Sequence, residues 1–440
     1  MIIKRTVYDY IFDHLNAKEI TLITGPRQAG KTTIMETLKS ELDKKGEKTL
    51  FLSLDFEKDA PYFKSQISLI DKINLETGGK DRAFVFIDEI QRKENAGLFL
   101  KGIYDMRLPH KFIVSGSGSL ELKEKIHESL AGRKQIFEVN TLSFKEFVNF
   151  KTDYKYNGNN GNNDNNGNSG NSGNNAYNIY SDRLSDYFNI EKETVKKLLL
   201  EYLNFGGYPR VVIEETLAKK TSIINDIFQS YIEKDISYLL NVEKIDAFKN
   251  LIRILASQSG KLININELSA TLGISVPTVK NYISYAEKTF IIRLVTPFYR
   301  NIRSEITKSP AVYFNDIGLR NFSIGQFGNI DYFDYAGFIF QNFVFNALYD
   351  KFKYGNSSVH FWRSKDGGEV DFIIDKGNEI IPAEVKASEL KKPVITRSLR
   401  SFIEKYNPKE AWIINLSLNF ETAYKDTKIK FMPAFDLIGS

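Results

Sequence analysis

The run Gly25-Pro26-Arg27-Gln28-Ala29-Gly30-Lys31-Thr32, followed by Thr33, has the spacing G-x-x-x-x-G-K-[ST]. Those residue types suit a loop that wraps phosphate. Gly25 and Gly30 allow backbone torsions that a Cβ would block, so successive N–H groups can turn inward on an anion. Lys31 supplies a positive charge for the outer phosphates, and Thr32 a hydroxyl for Mg²⁺. The chemistry expected is ATP binding with Mg²⁺.

Such a loop needs acidic partners. "AFVFIDEIQ" places Asp88 and Glu89 after a run of apolar residues. A carboxylate at the carboxyl end of a strand lies beside the phosphates. Asp88 is expected to hold Mg²⁺ with Thr32, and Glu89 to polarise the attacking water as general base. "KFIVSGSGS" puts Ser115 at the end of the next strand, where a hydroxyl would align the water or sense the γ-phosphate. In "LAGRKQIFEV", Arg133 would reach the γ-phosphate of a neighbouring copy, which implies a homo-oligomer.

A second constellation lies in "WRSKDGGEVDFIIDKGNEIIPAEVKAS". Glu369 and Asp371 open one strand, and Glu384 and Lys386 share a face of the next. Two carboxylates and a lysine so placed could hold a divalent metal and activate water. This D…E-x-K arrangement resembles the core of restriction-type endonucleases.

Positioning these groups requires strands with helices between them. "ITLIT", "TLFLSLDF", "AFVFID" and "KFIVSGS" are the expected strands, and "TTIMETLKSEL" and "AGLFLKGIYDM" the expected helices, which gives a parallel α/β sheet over residues 1–155. Residues 156–179 are almost wholly Asn, Gly and Ser, too polar to offset chain entropy, and read as a disordered linker or a loop insertion. Helical periodicity dominates residues 180–250, a lid-like region. Residues 251–305 read as a winged helix-turn-helix. "NELSATLG" and "VPTVKNYISYAEKT" are its helices and "FIIRLVTPF" a β-ribbon. Thr278, Lys280, Asn281 and the Arg300–Arg303 stretch are candidate DNA contacts. From residue 306 to 440 the pattern is mixed. "AVYFND", "VHFWRS", "EVDFIID", "IIPAEVKA" and "EAWIINL" read as strands, and "FIFQNFVFNALYDKF" as a helix.

Composition sets the remaining bounds. The chain has 440 residues, 42% hydrophobic and 26% charged, as folded proteins do. A formal charge of +5 permits nucleic-acid contact without arguing for it. Cysteine is absent and the four histidines are dispersed, so thiolate and histidine metal clusters are not expected. No run reaches the roughly 20 apolar residues that span a bilayer. "MIIKRTVYDYIFDHL" lacks a secretion-signal core, and the expectation is a cytoplasmic protein with no membrane partner.

Taken in order, "GPRQAGKTT", "FIDEIQ", "SGS", "LAGR" and "LSFKEF" resemble the large prokaryotic family of AAA-type ATPases that begin with this P-loop module. Its members commonly end in an uncharacterised domain with a nuclease-like core, so the resemblance implies an α/β restriction-nuclease-like fold for the C-terminal unit and a DNA-related or defence role. The chain departs from it at "VNTLSFKEF", where a proline before Ser-Phe is usual, and in its Asn-rich stretch. It also has Gln341 in "GFIFQNFV", where the family pattern G-x-x-x-E-x-x-V has a glutamate.

Overall fold

The structure is a computed structural model. It describes residues 2–79, 81–117, 129–156, 182–233, 236, 244–299, 308–330, 337–364 and 366–439. The Asn-rich stretch and the Arg300–Arg303 stretch lie outside the described residues.

The N-terminal unit is built on β1 (Ile20–Gly25), β2 (Lys48–Ser53), β3 (Ala83–Asp88), β4 (Lys111–Ser117) and β5 (Lys134–Glu138), in the order β2-β3-β4-β1-β5 with every pairing parallel. β1, β3 and β4 are buried along their whole length, which explains their near-continuous apolar sequences. β5 is less buried, and its polar residues Lys134 and Gln135 disguise it as a loop. β4 separates the phosphate-loop strand β1 from the acidic strand β3, so Ser115 stands between the two.

The middle of the chain is helical. Helices Asp182–Ile190, Lys192–Phe205, Pro209–Ile213 and Leu217–Tyr231 are followed by Ile245–Ser257, Ile265–Leu272 and Val276–Lys288. Side chains cap several of their starts: Asn264 accepts from the Glu267 N–H, and Ser275 from the Thr278 N–H. Of the expected ribbon "FIIRLVTPF", only β6 (Ile292–Val295) forms. Its partner is β7 (Ala311–Phe314), antiparallel. "AVYFND" was expected in the C-terminal unit from residue 306; its strand β7 instead completes the middle one. The segment after it stays there too. Asp316 caps helix Ile317–Ser323 through the Leu319 N–H and also accepts from the Gly207 N–H, and Asn321 donates to the Leu203 carbonyl.

The C-terminal unit opens with helix Gly337–Phe352. β8 (Ser358–Arg363), β9 (Glu369–Asp375), β10 (Ile380–Val385), β11 (Glu410–Asn415), β12 (Phe420–Tyr424) and β13 (Thr427–Pro433) follow, in the order β12-β13-β11-β10-β9-β8. β9 is antiparallel to both β8 and β10; β10 and β11 are parallel, joined through helix Arg397–Tyr406. One face packs on that helix through Val370, Ile373, Leu399 and Phe402. The other face joins a larger core in which Phe372 and Ile374 of the sheet meet Phe343 of helix Gly337–Phe352, Phe144 and Phe147 of helix Phe144–Lys151, and Tyr202. The Phe144 ring lies 5.5 Å from those of Phe343 and Tyr202. Asn342 ties the C-terminal unit to the middle one, accepting from the Ser259 hydroxyl and the Phe314 N–H and donating to the Phe314 carbonyl.

Candidate functional site

β1 delivers its last residue, Gly25, to the start of the loop, and helix Lys31–Lys44 begins where the loop ends. Gly25 has φ of 150° and packs against Val139; a Cβ there would lie 2.0 Å from the Val139 carbonyl oxygen. Gln28 and Gly30 are left-handed, with φ of 58° and 97°. These torsions turn the loop back over the helix N-terminus, where backbone N–H groups attract anions. Lys31 is buried, and its ammonium donates to the Gly25 and Pro26 carbonyls at 3.0 and 2.8 Å.

The acidic partners converge on the same end of the sheet. Thr32 Oγ1 donates to Asp88 Oδ2 at 2.9 Å, and Ser115 Oγ donates to Asp88 Oδ1. The Ser115 hydroxyl also accepts from the Glu89 N–H at 3.3 Å. Asp88 is buried, and Glu89 is half-buried with φ of 58°. Burial raises the Glu89 pKa above its ordinary value, with Lys31 and Arg27 pulling it down and Asp88 and Asp55 adding to the rise. Gln91 Nε2 donates to the Glu89 carboxylate, and Gln91 Oε1 accepts from the Ser117 N–H. The tip of β3 is thereby fixed to the tip of β4.

Arg133 is elsewhere. Its carbonyl accepts from the Ile20 N–H at the amino end of β1, opposite the loop, and its side chain pairs with Asp105 at 2.9 Å. Within one chain it does not meet the loop.

Two arginines that the sequence does not point to do meet it. Arg210, second residue of helix Pro209–Ile213, donates to the Gln28 side chain at 2.9 Å. Arg5 is buried and donates to the Ala29 carbonyl at 2.7 Å and the Asn140 carbonyl at 2.6 Å, and pairs with Glu146 at 3.2 Å. Burial pushes the Glu146 carboxyl up, but Arg5 and hydrogen bonds from Thr6 and Ser143 outweigh it and hold the pKa low. A cavity of about 170 Å³ adjoins the loop, walled by Ile3, Tyr8, Ile34, Pro209, Arg210 and Ile213, with Gly30 and Thr33 at its edge. Only "GGYPR", a turn signal followed by an arginine, marks Arg210 in the sequence, and nothing in its spacing relates it to residue 28.

In the C-terminal unit, β9 and β10 bring Asp371, Glu384 and Lys386 together. Asp371 Oδ1 accepts from Gln341 Nε2 at 2.8 Å and Oδ2 from the Val385 N–H at 2.7 Å. Glu384 is buried; Oε1 accepts from the Thr396 hydroxyl and Oε2 lies 3.4 Å from the Lys386 ammonium. Burial pushes the Asp371 pKa up to about 7, with Glu384 and Glu369 adding to the rise and the Val385 N–H and Lys386 opposing it. Glu369 does not join the cluster by contact: its carboxylate is held by Arg363 at 2.7 Å. Among the described residues no group of three or more His, Asp or Glu is gathered as a metal site. The two carboxylates present have only Glu384 Oε2 without a hydrogen bond. A divalent ion there would have to displace the Gln341 amide or keep most of its own water.

On helix Val276–Lys288, Lys280 and Asn281 are exposed and Thr278 is half-buried beside the Ser275 cap. No described helix is long and apolar enough to cross a membrane.

Comparison with known proteins divides the chain along the same lines. Residues 17–148 match the family model of an AAA domain, residues 196–329 a domain of unknown function (DUF8612) and residues 336–435 another (DUF4143). The DUF8612 range takes in β7 and helix Ile317–Ser323, as the strand pairing does. An uncharacterised protein of Haemophilus influenzae is 28% identical over 389 residues, covering 83% of this chain and 82% of its own. An uncharacterised protein of Methanocaldococcus jannaschii is 25% identical over 380 residues, covering 85% and 76%. Among solved structures, the replication initiator DnaA bound to AMPPCP and single-stranded DNA aligns at 14% identity and a TM-score of 0.30, over 64% of this chain and 86% of that one. At that score it adds nothing to the sheet order. Over residues 17–148 the chain is thus similar to an AAA domain.

Proposed function

We propose that this protein binds ATP with Mg²⁺ at Gly25–Thr33 and hydrolyses it, and that nucleotide state governs how the middle and C-terminal units act on a partner. The observation that carries this is the joining of Thr32, Asp88, Ser115 and Glu89 at the mouth of the phosphate loop.

Phosphate oxygens would take over the Lys31 ammonium from the Gly25 and Pro26 carbonyls. Thr32 and Asp88 supply the hydroxyl and carboxylate for Mg²⁺, which retains several waters and neutralises phosphate charge when bound. Glu89 takes the proton from the attacking water, and its burial keeps it basic enough to do so. Ser115 holds Asp88 and the Glu89 backbone in register. The cavity beside Gly30 suits the flat, apolar face of a nucleobase. Arg210 is positioned to follow the phosphates from the Gln28 side of the loop. Arg133 would act only on the site of a neighbouring copy.

For the partner, we favour DNA, met by a winged-helix middle unit. Helices Ile265–Leu272 and Val276–Lys288 followed by the β6–β7 pair support that reading, with Lys280 and Asn281 on the open face. The helix–three-strand–helix–strand order of the C-terminal unit, with β10 parallel to β11, supports a restriction-nuclease-like core. Its engaged carboxylates and Gln341 favour weak metal-dependent cleavage or none.

The test is ATP turnover by the full chain and by Lys31→Ala, each with and without double-stranded DNA. Turnover lost in Lys31→Ala and raised by DNA is expected. Normal turnover in Lys31→Ala would overturn the site assignment. Turnover indifferent to DNA would instead favour a nucleotide-dependent switch acting on protein.

A further inference from the structure

Glu138 is the last residue of β5, and its register partner on β1 is Thr24, directly before the phosphate loop. The next two residues wall that loop. The Val139 N–H donates to the Thr24 carbonyl, and the Val139 carbonyl closes on Gly25. The Asn140 carbonyl takes the Arg5 guanidinium, whose other arm holds the Ala29 carbonyl inside the loop. Residues 138–140 therefore cannot shift without moving the loop's frame.

The Glu138 side chain meets the other two units. One carboxylate oxygen accepts from Arg293 Nη2, on β6 of the middle unit. The other accepts from the Tyr349 hydroxyl at 3.3 Å, near the end of helix Gly337–Phe352 of the C-terminal unit. The Arg293 guanidinium lies over the Tyr349 ring, 3.6 Å from its centre, so the two partners also bind each other. The Arg293 and Glu138 side chains are only 18% and 20% exposed. A charge pair so withdrawn from water tolerates few alternative geometries. A cavity of about 330 Å³ adjoins the carboxylate, bordered by Tyr10, Lys145, Asp350, Lys353 and Tyr354.

We infer that Glu138 is the positioning residue through which the nucleotide loop and the C-terminal unit sense each other. A change in the loop's frame displaces β5, and the Glu138 carboxylate carries that displacement to β6 and to helix Gly337–Phe352 together. Coupling of this kind is reciprocal: whatever loosens the far end must also alter nucleotide affinity. The inference rests on ATP binding at the loop, as proposed above.

The experiment uses the full chain as wild type, Glu138→Gln, Glu138→Asp and Tyr349→Phe, the last removing only a hydroxyl. Binding of a non-hydrolysable ATP analogue is measured at equilibrium, turnover is resolved into kcat and KM, and amide exchange is followed along residues 337–352. The analogue should change exchange of that helix in wild type. Glu138→Gln and Tyr349→Phe should abolish the response and shift analogue affinity about 5-fold or more, the scale of ordinary site-to-site coupling. Their KM should move more than kcat, and Glu138→Asp should restore part of both effects. A merely structural carboxylate would lower melting temperature without moving affinity. If wild type binds the analogue and the helix does not respond, or if both variants keep the response, this inference falls alone. If wild type binds no analogue, the ATP reading falls and takes it along.

Discussion

Thr32 and Asp88 are 56 positions apart in the chain and share a hydrogen bond of 2.9 Å. One comes from the first turn of a helix and the other from the last residue of a buried strand, and β4 lies between that strand and β1, which leads into the helix. The second Asp88 oxygen is held by Ser115 of that intervening strand. The carboxylate is therefore fixed before any ion arrives, and so is the backbone of its neighbour Glu89.

That fixed backbone makes Glu89→Gln informative. The variant should bind ATP as wild type does and turn it over about 10²–10⁴-fold more slowly, the usual loss for a general base. Burial raises the Glu89 pKa, so the acid limb of the rate profile should lie above that of an ordinary carboxylate: as pH falls through the raised pKa, the base gains its proton and the rate drops. The limb should vanish in the variant. An unchanged rate or an unchanged limb would remove Glu89 from the mechanism.

Arg210→Ala should weaken ATP binding with little change in melting temperature. The side chain is exposed, and its one described side-chain contact is with Gln28. Losing such a hydrogen bond costs about 1 kcal/mol in the free protein, whereas losing a charge beside phosphate shows chiefly as affinity. Titration with a fluorescent ATP analogue reads the effect, and equal affinity would show that the arginine only packs on the loop.

Asp371 gives a stability signature. Its folded pKa, about 7, lies above the ordinary 3.8. Between those values the unfolded chain has released the proton and the folded chain still holds it, so this group makes stability fall as pH rises across that window and is level above it. Asp371→Asn removes the contribution. The melting temperature of the variant relative to wild type should therefore climb from pH 4 to pH 7. A constant difference would mean that the carboxyl ionises normally.

Gln341→Glu exchanges the amide that donates to Asp371 for a third acid. Without a metal ion, and above pH 7 where Asp371 is ionised, the variant should melt lower than wild type, because like charges at hydrogen-bonding distance repel. Mn²⁺ should raise its melting temperature more than it raises that of wild type, and any DNA cleavage should increase with it. No difference in the Mn²⁺ response would show that these carboxylates do not form a metal site even when completed.

How much of this is legible in the sequence depends on how local the encoding is. The phosphate loop is contiguous and its torsions are dictated by its glycines, so residues 25–33 announce themselves. Asp88 follows because it ends an apolar strand, and Ser115 because it is the first polar residue after the apolar run of β4, which continues to Ser117. Arg5 and Arg210 have no such signal. They reach the loop only after the chain has folded back over it, from 20 residues before Gly25 and from the far side of the helical region. β7 shows the same limit: "AVYF" says strand but not whose partner, and its place beside β6 is decided by tertiary pairing. β5 shows no strand signal because its polar first residues hide its period. Glu138, Arg293 and Tyr349 are three unremarkable residues until the sheet, the β6–β7 pair and the last long helix meet.

The aromatic cluster that unites Phe144, Phe147 and Tyr202 with Phe343 and Phe372 has a practical meaning for anyone dissecting the chain. The boundaries of sequence families fall at residues 148 and 336, but the hydrophobic interior runs straight across both. A fragment cut at residue 336 would carry half of a core with its other half left behind, and its bared phenylalanines would drive it into aggregates. Three sequence families meet in this chain, while the hydrophobic core that must fold and melt together is larger than any one of them.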